Sequence, residues 1–384
     1  MLFTNILGQE HIKKHLTQSV DNGRIPHAQL FVGNEGVGTL PTAIAYAQYI
    51  LCSNSQGENL NGNDACNLKF DNLSHPDLHF AFPVAKTDKA KSHPVSSMFL
   101  EDWRKLLKEQ PYCNLFDWYK AIGIENKQGQ IGVDEAAEIV KSLALKSYEG
   151  GYKVMIIWMA EKMNAACANK LLKLIEEPPN KTIFILVAEN EEQIVNTIRS
   201  RCQVLHFPPL SEAVITTALI KEFNLDQKVV QSIAHQANGN YNKACDLVYQ
   251  DSEDLQFESW FVAWVRSAFK ARGNKAAIHD LISWSEEVSK TGRETQKQFL
   301  GFCLDFFRQA MLLNYNVPEL VFFESKSEDF ELEKFAPFVH ENNIMDISKE
   351  LQDAIYHIER NGNSKIILTD LSIRLTRLLH KKSA

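Results

Sequence analysis

Long hydrophobic runs are absent from this sequence of 384 residues. The two longest, Val154–Ala160 and Ile183–Ala188, are far shorter than the roughly 20 residues with which a helix crosses a bilayer. The chain does not open on a basic stretch followed by an apolar core, so we expect no signal peptide. Both absences argue against a membrane partner, and the scattered cysteines, which suit reduced thiols, predict a cytoplasmic protein.

An excess of basic residues is also absent. Lys and Arg number 41 against 48 Asp and Glu, which gives a formal net charge of −7. Phosphate neutralisation needs clustered Lys and Arg, so this balance argues against broad nucleic-acid binding by the chain alone. A local basic patch stays open. The composition, 45% hydrophobic and 23% charged, is typical of a globular protein, here with two or three domains.

Cysteine pairs at metal-binding spacing are missing as well. The seven cysteines are scattered and odd in number, which favours reduced thiols over a disulfide framework. A tetrahedral zinc site needs four ligands, usually in close pairs, and only Cys66, with Cys52 upstream, lies in the polar segment after the first helices. His75 and His79 could pair on a helix, but Pro76 between them argues against one. We therefore expect no zinc and interpret the residues around Pro76 as a turn.

Residues 33–43 read GNEGVGTLPTA, which has the frame of the phosphate-binding loop G-x-x-x-x-G-K-[ST]. A short apolar strand precedes it and a helical pattern follows, as such a loop requires. Gly33, Gly36, Gly38 and Thr39 are thus the candidate phosphate contacts. However, Thr39 stands in place of the Lys and Leu40 in place of the Ser or Thr. The loop therefore lacks the charge for the phosphates and the oxygen for Mg²⁺, and we predict that it is degenerate.

Strand-like and helical segments alternate through the first half of the chain, which predicts a doubly wound parallel sheet. The strands are predicted at Ala28–Gly33, Lys153–Ala160, Thr182–Glu189 and near Phe207. The polar, turn-rich segment Asn54–Pro94 is predicted to be irregular. After Pro208 and Pro209 the pattern is helical, so the predicted fold class is α/β plus all-α.

Two helical segments in the C-terminal part carry large apolar residues on one face. The faces consist of Phe257, Trp260, Phe261, Trp264, Val265 and Phe269, and of Phe299, Phe302, Cys303, Phe306, Phe307 and Met311. We interpret both as the core of a helical bundle, with packing against another subunit as the alternative. We also expect structural roles for Trp103, Trp118 and Trp158.

Several stretches together are similar to one family. They are GQEHIKKHL, GRIPHAQLFVGNEGVG, SHPDLHFAFPV, GYKVMIIWMAEKMNAACANKLLKLIEEPP, TIRSRCQ and TDLSIRLTRLLH. Through them the chain resembles, over almost its whole length, the delta-prime subunits of bacterial DNA polymerase III clamp loaders, which are AAA+ proteins. The resemblance implies an AAA+ domain of P-loop NTPase fold at 1–208, a helical lid at 209–251, and a helical collar at 252–384 that holds a five-subunit ring.

The resemblance also implies where an active relative keeps its catalytic groups. The strand KVMII would be followed by an Asp for the metal and a Glu for the attacking water, whereas this chain has Trp158 and Met159, with Glu161 displaced. The lid would supply an Arg to the phosphates, and Asn242 stands in its place. These combined losses remove most of the electrostatic stabilisation of phosphoryl transfer. We predict no enzyme activity by the chain alone and no tightly bound nucleotide, although weak phosphate binding by loop amides stays open.

The stretch Ser200–Arg201–Cys202 is intact. In the family, the Arg of this motif reaches the γ-phosphate of ATP on a neighbouring subunit, as an arginine finger. The resemblance therefore implies a catalytic role in trans for Arg201, supported by Ser200 and Cys202. An ion pair on the chain's own surface is the alternative.

By the same resemblance, the chain is a non-catalytic stator within the DNA polymerase III holoenzyme, a nucleotidyltransferase complex. Its expected partners are the gamma/tau ATPase and delta subunits, with the sliding clamp as a further candidate and primed DNA reached through the assembled complex. An active AAA+ motor subunit of the same loader is the alternative, which positions 39, 40, 158 and 159 oppose. An unrelated P-loop kinase or GTPase is opposed by the SRC motif and by the lack of a metal carboxylate.

Overall fold

The computed structural model describes residues 1–52, 64–148, 151–249, 252–271, 274–315, 317, 321 and 330–381. The chain divides into two compact units. The first comprises Met1–Ile124 and Gln128–Val248, and the second comprises Glu125–Lys127 and Tyr249–Ala384. The sheet and the segment that we expect to be the lid, as far as Val248, therefore lie in one unit. Asp251, where we end the lid, is outside the described residues.

The first unit begins with an alternation of helices and strands. These elements are α1 (Glu10–Asp21), β1 (Ala28–Val32), α2 (Thr39–Cys52), α3 (Asp64–Asp71), β2 (Leu78–Ala81), α4 (Leu100–Glu109), α5 (Leu115–Ala121), α6 (Val133–Ala144), β3 (Lys153–Trp158), α7 (Ala165–Glu176), β4 (Thr182–Ala188), α8 (Asn196–Arg199) and β5 (Gln203–His206). Three helices follow, α9 (Glu212–Phe223), α10 (Gln227–Ala237) and α11 (Tyr241–Tyr249).

The five strands form one parallel sheet in the order β2-β3-β4-β1-β5. β1 lies between β4 and β5, with Leu30 opposite Leu186 on one side and Val204 on the other. β1, β3 and β4 are buried along their whole length, as strands are when both faces of a sheet are covered. The predicted parallel α/β fold is confirmed.

The prediction of an irregular segment between Asn54 and Pro94 is wrong for two stretches of its described part. It contains α3 and the edge strand β2, in which Leu78 pairs with Val154 of β3. A four-residue strand is too short to show an alternation that distinguishes it from a loop. Residues 53–63 of that segment lie outside the described residues.

Aromatic side chains fill the core on one face of the sheet. The ring of Trp103 in α4 lies 5.1 Å from that of Trp118 and 5.0 Å from that of Trp158, between centroids. Phe82 stacks on Trp103 at 4.4 Å. All four residues are buried, so the structural role predicted for the three tryptophans is confirmed. The side chain of Trp158, at the end of β3, is thus part of the hydrophobic core.

The second unit is helical in its described part. It contains α12 (Ser252–Lys270), α13 (Lys275–Ser289), α14 (Arg293–Asn314), α15 (Leu332–Phe335), α16 (Glu341–Glu359) and α17 (Ser364–Leu379). Within the described parts of both units, no helix is long and apolar enough to span a membrane.

The two apolar faces predicted in this unit pack against each other. The ring of Phe261 lies 4.1 Å from that of Phe306, and Trp264 stacks on Trp284 of α13 at 4.8 Å. The indole of Trp264 donates a hydrogen bond to Oγ of Ser372 at 2.8 Å. The interpretation of these faces as a bundle core is thus confirmed.

Candidate functional site

The glycine loop lies between β1 and α2, at the carboxyl ends of the parallel strands, where open α/β sheets bind ligands. Gly36 and Gly38 have φ angles of 71° and 95°, a backbone region that glycine adopts without strain. The amide of Gly33 donates to the carbonyl of Ala188, at the end of β4, over 3.1 Å. The loop therefore has the strand–loop–helix setting of a phosphate site.

The first residues of α2 do not supply the chemistry of such a site. Leu40 is buried in the core beneath the loop, where a relative with the full motif would place a hydroxyl for Mg²⁺. Thr39 is half-buried and brings no positive charge. The hydroxyl of Thr42 is engaged inside the helix, because it donates to the carbonyl of Gly38 at 2.6 Å.

Large side chains narrow the cleft beside the loop. Its enclosed part has room for roughly one water molecule. Tyr112, Trp158 and Met159 line it together with the loop. The displaced carboxylate, Glu161, accepts a hydrogen bond from the amide of Glu189 at 3.1 Å. Large side chains therefore occupy part of the cleft in which a nucleotide would lie.

Asn242 occupies the position at which the resemblance implies a lid arginine. Its Nδ2 donates to Oδ2 of Asp117 in α5 at 3.0 Å, and the residue is buried. Asp117 also accepts a hydrogen bond from the amide of Asn114 at 2.9 Å. Burial raises the pKa of Asp117. Asn242 is therefore a donor to the chain's own carboxylate.

Glu35 has a role that the loop motif does not predict. Its Oε1 accepts hydrogen bonds from Nδ2 of Asn114 at 3.0 Å and from Nδ2 of Asn240 at 3.2 Å. The spacing of Asn114 and Asp117 is the available sequence signal, because an N-cap residue and an acid three positions later can form a capping box. Both bonds of that box are present at the start of α5. The sequence gives no signal that this capping box lies beside Glu35.

Arg201 lies between the short helix α8 and β5. Its Nη1 donates to the carbonyl of Thr197 at 2.7 Å, and its guanidinium forms an ion pair with Glu176 at the end of α7. In this structure Arg201 therefore forms the ion pair on the chain's own surface that is the alternative to the finger. The two side chains are 37% and 40% exposed, and exposed pairs of this kind contribute only about 0–1 kcal/mol. The guanidinium can exchange this partner at small cost.

Ser200 and Cys202 shape the turn around Arg201. Oγ of Ser200 donates to the carbonyl of Thr197 at 3.3 Å and accepts from Nη1 of Arg201 at 3.4 Å. Burial raises the pKa of the Cys202 thiol to about 11, so the thiol stays protonated at neutral pH. Ser200 thus contacts Arg201 directly, and Cys202 contributes a half-buried, protonated thiol beside it.

The expectation of reduced thiols is wrong for one pair. Cys52 at the end of α2 and Cys66 in α3 form a disulfide. The packing of the two helices brings their Cα atoms to 5.7 Å, within the range that a disulfide spans, and sequence spacing does not reveal this contact. Five further cysteines are free. In the described ranges, no group of three or more His, Cys, Asp or Glu could hold a metal ion.

The parallel sheet, with the glycine loop at the carboxyl end of β1, defines an α/β domain of the nucleotide-binding kind. A sequence model of the family described as DNA polymerase III, delta subunit, matches residues 8–211, and the chain belongs to this family. Together with the curated delta' relatives, this match confirms the resemblance to delta-prime subunits.

The curated relatives cover both kinds of subunit that the resemblance involves. DNA polymerase III subunit delta' of Bacillus subtilis is 28% identical over 243 residues, which are 63% of this chain and 60% of that protein. Its counterpart in Escherichia coli is 26% identical over 238 residues, 62% of this chain and 59% of that protein. A gamma/tau subunit of Mycobacterium tuberculosis is 29% identical over 206 residues, 54% of this chain and 28% of that protein. The chain thus spans less than two thirds of the length of each.

Proposed function

We propose that this chain is a non-catalytic subunit of a bacterial DNA polymerase III clamp loader. It lends Arg201 to the ATP site of a neighbouring gamma/tau subunit and acts as the stator while the sliding clamp is opened and loaded at primed DNA. The observation that carries the proposal is an asymmetry: the residues that line the chain's own phosphate site include no Lys or Arg, whereas Arg201 is at the surface.

Each part of the degenerate site supports the absence of hydrolysis by this chain. Thr39 leaves the phosphates without a cation, and Leu40 is buried where Mg²⁺ would need an oxygen. Trp158 is packed into the aromatic core at the place of the metal carboxylate. Asn242 is bonded to Asp117 instead of reaching the loop. Phosphoryl transfer depends on charge stabilisation, and the site offers little of it.

The surroundings of Arg201 support a role in trans. Its ion pair with Glu176 is exposed, so a neighbour's phosphate can replace the carboxylate without a large cost. The planar guanidinium is always charged and suits bidentate contacts to phosphate oxygens. The delta subunit is the second expected partner, and the cytoplasm is the expected compartment. The Cys52–Cys66 disulfide is the observation that speaks against a reducing compartment.

The purified full chain is expected to hydrolyse no ATP above the background of a mock preparation. The measurement is phosphate release with Mg²⁺ and ATP, in parallel with a gamma/tau subunit that serves as the positive control. Hydrolysis by the isolated chain would favour the alternative of an active motor subunit and contradict the proposal. Retention of the chain in a complex with gamma/tau and delta, measured by size, tests the assembly separately.

A further inference from the structure

The lid segment touches the glycine loop directly. The backbone amide of Tyr241, the first residue of α11, donates to the carbonyl of Gly36 at 3.1 Å. A Cβ atom on Gly36 would lie 1.8 Å from Oδ1 of Asn240, so this approach requires glycine. The ring of Tyr241 packs edge-on against that of Tyr112, with 5.1 Å between centroids. Between Gly36 and Asn240 there is no space for a phosphate.

Five polar side chains reinforce this contact, and we call them the carboxylate latch: Glu35, Asn114, Asp117, Asn240 and Asn242. Glu35 of the loop accepts hydrogen bonds from α5 and from the lid segment, through Asn114 and Asn240. Asp117 of α5 accepts a bond from Asn242 of α11. The latch thus joins three parts of the first unit: the loop, α5 and the lid segment.

Two of the latch asparagines, Asn114 and Asn240, are hydrogen-bonded at both ends of the side-chain amide. Oδ1 of Asn114 accepts from the amide of Asp117 at 2.8 Å, while its Nδ2 serves Glu35. Oδ1 of Asn240 accepts from the amide of Lys243 at 3.0 Å, while its Nδ2 also serves Glu35. Asn114 and Asn240 are therefore each held at both ends of the amide, which fixes the direction in which the Nδ2 donor points to Glu35. Hydrogen bonds to a charged acceptor are stronger than those between neutral groups.

The latch resembles a phosphate-binding site in which a side chain of the protein supplies the anion. In a nucleotide-binding loop, donors from neighbouring elements converge on phosphates that the ligand supplies. Here donors from α5 and from the lid segment converge on the carboxylate of Glu35, which belongs to the loop itself.

We propose that Glu35 takes the place of a nucleotide phosphate and that the carboxylate latch holds the lid against the loop in one position, independently of ATP. This inference deepens the proposed stator role and rests on that role for its meaning in the assembled loader. A subunit whose lid is fixed by its own side chains gives moving neighbours a constant surface to work against.

Hydrogen exchange of the full chain tests the latch at one amide. The amide of Tyr241 is bonded to Gly36 across the contact, so it exchanges when the lid leaves the loop. Glu35→Ala is expected to speed its exchange by about 10-fold or more, because two bonds to a charged acceptor are lost. Asn242→Ala, which removes the bond to Asp117, is expected to act in the same direction. Excess ATP or ADP should leave the exchange of the wild-type chain unchanged.

Asn34→Ala is the matched control, since Asn34 is exposed and precedes Glu35 in the same loop. The amides of β1 and β4 report global unfolding and should exchange equally in all variants. Exchange at Tyr241 that Glu35→Ala leaves unchanged would overturn the latch, as would wild-type protection that develops only with nucleotide. The measurement needs neither a partner nor hydrolysis, so it stays informative if Arg201 proves not to be a finger.

Discussion

Arg201→Ala should lower the rate of ATP hydrolysis at the neighbouring site of the reconstituted clamp loader by about 1,000-fold or more, the range that arginine fingers supply. The physical reason is the loss of a fixed positive charge from the γ-phosphate in the transition state. The rate of the whole complex should fall by the share that this one site contributes. The measurement is single-turnover hydrolysis in the presence of primed DNA and the sliding clamp.

Three further variants, one at Arg201 itself and two at neighbouring residues, make this experiment specific. Arg199→Ala removes a nearby arginine whose Nη2 donates to Oδ1 of Asn196, and it should leave the rate unchanged. Arg201→Lys keeps the charge but loses the planar fork, so it should recover only part of the rate. Glu176→Gln removes the ion pair of Arg201 and should change the rate no more than a few-fold, because the pair is exposed. An Arg201→Ala complex with wild-type hydrolysis at every site would exclude the finger.

The sequence carries the parts of the fold that depend on periodicity. β3 and β4 are continuous apolar runs and are buried on both faces, so their pattern identifies them as inner parallel strands. The glycine loop is recognisable because its two positive φ angles need glycine at Gly36 and Gly38. The identity of the side chain at the end of β3, Trp158, already predicts that a metal carboxylate is missing there.

Contacts between distant segments are not encoded in such patterns. Glu35 is 79 residues from Asn114 and 205 residues from Asn240, and the two bonds depend on how α5 and the lid segment pack on the loop. Asn242 illustrates the difference: its identity predicts a lost arginine, but its partner Asp117 follows from packing alone. The same holds for the disulfide and for the pairing of Arg201 with Glu176.

The second prediction concerns Glu135, a buried acid that should make the stability of the fold depend on pH. Glu135 lies in the first turn of α6 with 3% of its surface exposed, and its Oε2 accepts a hydrogen bond from the amide of Ser96 at 2.6 Å. Burial raises the pKa of Glu135 from 4.5 to about 7, because the loss of hydration disfavours the carboxylate more than the bonds from Ser96 favour it.

The direction of the stability effect follows from this shift. The folded chain binds the proton of Glu135 more tightly than the unfolded chain does. The stability that the protonated group contributes is therefore complete below pH 4.5 and is lost as the pH rises towards 7. Over that window the shift corresponds to about 3 kcal/mol of the free energy of unfolding.

Glu135→Gln is expected to remove this dependence, because its amide stays neutral while its oxygen can still accept the bond from Ser96. The free energy of unfolding of the variant minus that of the wild type should rise by about 2–3 kcal/mol from pH 5 to pH 8, as measured by urea unfolding. Other titrating groups are shared by the two proteins and largely cancel in that difference. Glu109→Gln, at an exposed position that ends α4, is the control and should show no such gain. A difference between variant and wild type that is equal at both pH values would mean that the carboxylate of Glu135 is hydrated in the fold, contrary to its burial against Ser96.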